Sequence, residues 1–220
     1  MDQSLFLRSV HRMTIRKLFF LFWTTLAIGM VTAPVAGLLL QGLFGLAGLS
    51  FLSLLWAGVM FGAIAQMGFF AYMVFNMVFT GFIRNQRVYQ GLQLVLALAI
   101  LVNTFFMSLN RGGEEASAVS HLILPLTVLG AGLLVGYLKV KATQPKSFIP
   151  ALFFMVAATM LEAVPSIEQK SLEMMMLMVL TLLMCNAWQV MQLHRLVGST
   201  PRGNVNDSRS QPEKKKKQKS

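Results

Sequence analysis

Six stretches of mostly apolar residues leave this chain few ways to fold. They cover residues 18–40, 51–79, 88–109, 119–138, 148–164 and 172–193, and none has a Lys or Arg in its interior. About 20 apolar residues span the hydrocarbon core of a bilayer as one helix. Each run therefore reads as a crossing, and the chain as an all-α, polytopic membrane bundle of six transmembrane helices. Composition supports this. Hydrophobic residues make up 55% of the 220 and charged residues 12%, against about 25% charged in a soluble domain. A soluble globule could not bury that much apolar side chain and still cover itself.

The basic residues set an orientation. Seventeen of the 19 Lys and Arg fall before the first run, between the second and third, between the fourth and fifth, or after the sixth. Only Arg111 and Lys170 lie on the other side, together with five of the eight acids. Basic connections stay cytoplasmic, so both termini are expected in the cytoplasm of a multi-pass cell-membrane protein. Residues 1–17 read as a basic leader with an interfacial helix as one form, 18–196 as the six-helix domain, and 197–220 as a disordered basic tail. Lys214, Lys215, Lys216, Lys217 and Lys219 in that tail are expected to contact anionic membrane lipids.

The formal charge of +11 does not point to nucleic acid. The basic residues come in short runs between apolar ones, without the stripe that phosphate tracking requires. Catalysis is equally poorly served. The two aspartates, Asp2 and Asp207, both sit in the tails, so no membrane aspartyl pair exists. One cysteine, Cys185, excludes an internal disulfide and a cysteine-rich metal site. Ser120–His121 lacks the G-x-S-x-G setting of a nucleophile elbow. No catalytic, cofactor-binding or metal residues are expected. Glu162 stands three residues before Pro165 and is expected at the outer interface, leaving no ionisable group inside a span; a ligand or cation role is the other reading. Asn186, Gln189 and Gln192 read as a solvated inner helix end, with a docking place for a partner as the other reading.

The second run carries the most pattern. At about 100° per residue, Gly58, Gly62, Gln66, Phe69, Met73 and Asn76 share a stripe about 80° wide. Two glycines let a neighbouring backbone approach, and two amides would be unpaired in lipid. The stripe is read as a helix-packing or partner face, with a solute path as the other reading. Similar small-residue spacings occur at Gly29, Ala33 and Gly37, and at Gly132 and Gly136.

Two segments carry a family likeness. Lys17-Leu-Phe-Phe-Leu-Phe-Trp-Thr-Thr-Leu-Ala-Ile-Gly29 opens the first helix, and Ile64-Ala-Gln-Met-Gly-Phe-Phe-Ala-Tyr72 lies in the second. Together they resemble the KinB signalling pathway activator family (KbaA) of endospore-forming Firmicutes. The resemblance implies a membrane protein required for activity of a membrane sensor histidine kinase that starts sporulation, and it carries over no site residues. The expectation is a non-enzymatic regulator acting by helix–helix contact with that kinase. The alternative is a small transporter or channel for a neutral solute. A polar cavity gathering Gln66, Asn76, Asn103 and Asn186 would favour the alternative.

Overall fold

A computed structural model describes residues 15–44, 50–83, 85–111, 118–167 and 172–197. All of the regular structure in it is helical: α1 (Ile15–Phe44), α2 (Phe51–Phe82), α3 (Gln86–Arg111), α4 (Ala118–Ala142), α5 (Phe148–Ile167) and α6 (Leu172–Val197), with a 3-10 turn at Pro145–Ser147 before α5. Each of the six contains a segment long and apolar enough to cross a membrane. The tail, and all but the end of the leader, lie outside the described residues.

Polar residues at the joints start the helices. Ser50 is extended and caps α2, its hydroxyl accepting from the Ser53 amide at 3.2 Å. That satisfies one of the donors a helix start leaves open. Asn85 does the same for α3, its side chain accepting from the Arg87 amide at 3.0 Å. Pro145 opens the 3-10 turn, where a missing N–H costs nothing. α4 runs four residues beyond the expected span, so Lys139 lies in its last turn.

The helices α5 and α6 form the middle of the bundle. Every residue from Ala151 to Met160 is buried. On one side α1 and α2 pack together and against α6; on the other, α3 and α4 pack against α5. The consecutive helices α2 and α3 barely touch. They meet where Tyr89 donates to Asn76 at 2.7 Å.

Glycine decides how closely α1 and α2 approach. A methyl group on Gly58 would run into the Gly29 carbonyl oxygen, and one on Gly29 into that of Gly58. A methyl on Gly62 would stand 3.2 Å from both Leu26 Cα and the Thr25 carbonyl. Gly37 faces Leu54, and Ala33 is fully buried. On α4, Gly132 and Gly136 receive Leu152 and Phe148 of α5. Aromatic rings fill the α2–α5 contact: Phe69 meets Phe154 edge-on at 5.9 Å, and Tyr72 lies 4.8 Å from Phe154. The outward surface stays apolar, with Trp23, Trp56 and Phe82 all more than half exposed.

Candidate functional site

Polar side chains gather where α2, α5 and α6 meet. Two pairs at helical i, i+3 spacing supply most of them, Thr159 with Glu162 on α5 and Asn186 with Gln189 on α6. Residues three apart share a face, so each pair presents two polar groups to the same neighbour. The Asn186 amide donates to Thr159 Oγ1 at 3.0 Å and to Glu162 Oε2 at 3.1 Å. One turn further, Gln189 Nε2 donates to Gln66 Oε1 of α2 at 3.0 Å. All of these residues are buried, Thr159, Asn186 and Gln189 completely.

The second Glu162 oxygen, Oε1, lies against the backbone of Gly68, where a Cβ would overlap it. Glycine at 68 is thus a requirement of the carboxyl's position. Gly68 is near the middle of α2 and Asn186 near the middle of α6. The expectation that Glu162 sits at an interface is therefore overturned. Counting back from Pro165 located it only along its own helix. The neighbouring antiparallel helices are longer, and it is their mid-length that the carboxyl meets. The reading of Asn186 and Gln189 as a solvated helix end fails for a related reason: both face the centre of the bundle, buried against α5 and α2.

Several polar atoms of this seam have no hydrogen-bond partner: Glu162 Oε1, Asn186 Oδ1, Gln189 Oε1 and Gln66 Nε2. Leaving a buried polar atom unsatisfied costs about 1–3 kcal/mol, so the seam concentrates uncompensated polar groups at the centre of the bundle. Gln93 on α3 is also fully buried, beside Tyr89.

The stripe on α2 meets a different neighbour at nearly each step. Gly58 and Gly62 face α1, Gln66 pairs with α6, and Phe69 packs on α5. Met73 joins the main apolar core half-buried, and Asn76 accepts from Tyr89 of α3. The four amides do not converge on one cavity. Gln66 and Asn186 belong to the seam, Asn76 lies nearer the end of α2, and Asn103 is exposed on α3. Asn103 lines a shallow groove of about 220 Å³ with Thr104 and Met160.

Sequence reasoning missed Thr159, Gln189 and Gly68 as members of one site. The paired i, i+3 polar residues on α5 and α6 were the available signal. It also placed Lys139 in a connection. The side chain is buried instead and donates to the Val190 carbonyl of α6, a carbonyl within reach because α4 continues past it. Cys185 is buried, its sulfur 3.9 Å from the Thr25 carbonyl. Among the described residues no three His, Cys, Asp or Glu side chains gather as metal ligands would. Lys214–Lys217 and Lys219 lie outside the described residues.

Comparison with known proteins identifies relatives for this architecture. The model of the KbaA family, described as KinB-signalling pathway activation in sporulation, matches residues 24–196. The KinB-signaling pathway activation protein of Bacillus subtilis (strain 168) is 30% identical over 183 residues, covering 78% of this chain and 92% of that protein. No solved structure matches. The likeness read from residues 17–29 and 64–72 is borne out over most of the chain.

Proposed function

Because the chain belongs to the KbaA family, we propose that it is a multi-pass membrane protein that activates a KinB-type sensor histidine kinase by helix–helix contact, without turning over a substrate. One observation carries this reading. What the chain shares with the family runs through all six helices and stops short of the basic tail, so the activity resides in the bundle.

A protein that acts by contact must bind one state of its target better than another, since equal binding shifts nothing. A preference of about 1.4 kcal/mol changes the ratio of active to inactive kinase tenfold. The glycine face between α1 and α2 is consumed inside the bundle, so the kinase contact falls elsewhere. Gly91 on α3 and Gly130 on α4 have open space beside them, and α3 is the least buried helix. These positions, with Arg87, Lys141 and Lys146 at the near end, make up the proposed contact surface.

Deleting the gene is expected to lower kinase-dependent transcription and spore yield, and a constitutively active kinase should bypass the loss. Gly91→Leu and Gly130→Leu should lower the same output while leaving thermal stability unchanged. Normal kinase output in the deletion strain, together with solute flux by the purified protein in liposomes, would replace this reading with the transporter.

Both termini are placed in the cytoplasm, supported by the distribution of Lys and Arg. In a Cys185→Ser background, single cysteines at Ser50, Glu115 and Ser166 should label from outside intact cells, and one at Ser210 should not. Outside labelling at Ser210 would invert the topology. The lysines of the tail are assigned to anionic lipid at up to about 1 kcal/mol each. A tail peptide should bind anionic vesicles more tightly than neutral ones, and added salt should weaken it; equal binding would refute the assignment.

A further inference from the structure

The start of α3, the end of α4 and the 3-10 turn before α5 come together at one edge of the bundle. Gln90 Nε2 donates to the Lys146 carbonyl at 3.2 Å, tying the first turns of α3 to the 3-10 turn, and α4 packs on that turn as well. Each of the three contributes an exposed cation: Arg87, three residues before Gln90 and so on its face, Lys141 in the last turn of α4, and Lys146 in the 3-10 turn itself. Among the described residues no acid answers them. Glu162 is buried in the middle of the bundle, and Glu173 begins α6, at the opposite end of α5. The start of α3 adds the positive pole of a helix. At the end of α4 the Thr143 hydroxyl and amide both cover the Lys139 carbonyl. Basic connections orient a membrane protein, but orientation does not require two connections to be tied into one patch. Like charges gathered without a counter-charge repel one another, and a partner of opposite sign relieves that repulsion.

We propose that this edge receives an acidic segment of a partner protein, a stretch bearing Asp or Glu where one of the partner's transmembrane helices enters the cytoplasm. The inference deepens the activation reading and rests on it: the edge is the near end of the face that carries Gly91 and Gly130, so the segment belongs to the kinase helix that docks there. Charge supplies the selection. Most membrane helices leave the bilayer on the cytoplasmic side through Lys and Arg, and such a segment would meet three cations of its own sign. An acidic segment is drawn in, so the patch turns away ordinary neighbours in the membrane and admits the exception.

The test replaces the chromosomal gene with the triple variant Arg87→Glu, Lys141→Glu, Lys146→Glu and reads kinase-dependent transcription, with the deletion strain as the floor. Immunoblotting of membranes checks the amount of protein, and the cysteine at position 210 checks that the topology is kept. Output is expected to fall about tenfold at unchanged protein level. Lysine in place of Asp or Glu at the cytoplasmic end of a kinase transmembrane helix should restore it, and should lower output with the unaltered protein. If the triple variant does not reach the membrane, Arg87→Gln with Lys146→Gln decides, with an expected fall of about threefold. Unchanged output in the charge variants, beside a fall in the deletion strain, refutes the acidic partner and leaves activation standing. Unchanged output in the deletion strain refutes activation, and this inference with it. A fall that no lysine in the kinase restores also refutes the acidic segment. If phosphatidylglycerol then raises the thermal midpoint of the purified protein but not of the triple variant, the patch belongs to anionic lipid.

Discussion

Gly58→Leu is expected to abolish the α1–α2 crossing and to remove about 3 kcal/mol or more of stability, read as a large fall in thermal midpoint in detergent. The atoms a new Cβ would meet are all backbone: the Gly29 carbonyl oxygen, the Gly29 carbonyl carbon at 2.8 Å and Met30 Cα at 2.9 Å. A flexible side chain could turn aside. A helix backbone can only move as a body, and overpacking of this kind costs about 1–3 kcal/mol or more. Gly58→Ala should already carry most of the loss, because the collision begins at the first carbon. Gly42, with open space around it, provides the control: leucine there should change little. Gln66→Leu should cost only about 0.6 kcal/mol, the average for interhelical hydrogen bonds in membranes. Equal midpoints for Gly58→Leu and the unaltered protein would mean that the two helices do not cross at these glycines.

Asn186→Leu is expected to be nearly as damaging, for an electrostatic reason. The Asn186 amide is the donor to both Thr159 Oγ1 and Glu162 Oε2, and the other Glu162 oxygen already lacks one. Leucine would strip the carboxyl of its side-chain donor inside the bundle. An uncompensated buried polar group costs about 1–3 kcal/mol, and more if charged. The companion change should reverse the sign. Adding Glu162→Leu to Asn186→Leu removes the stranded acceptor and should recover most of the loss. A double-mutant cycle reads this coupling directly. If the two changes simply add, Glu162 and Asn186 do not interact.

Much of the architecture was legible because membrane insertion writes long, unambiguous signals. Twenty apolar residues between basic connections mark a crossing almost regardless of packing, and all six helices lie where those runs predict them. Helix ends were less legible. The α4 continuation through Lys139 depends on a carbonyl of α6, which no local pattern announces. The site was half legible. A helical wheel finds the stripe of α2, since the period of one helix is a local property. It cannot show that Gln66 will meet Gln189, or that Glu162 will reach the middle of its neighbours. Those facts depend on the length and offset of antiparallel helices, which distant parts of the chain decide.

The order of the helices also sets a timetable. Gln66 finds its partner 123 residues later, at Gln189, and the Thr25 carbonyl meets Cys185 across 160 residues. Synthesis proceeds at about 5–20 residues per second, so Gln66 waits on the order of ten seconds for the last helix to be made. Throughout that interval the amide of Gln66 lacks its permanent neighbour. α6 is thus the keystone: the polar centre completes only when it arrives with Asn186 and Gln189.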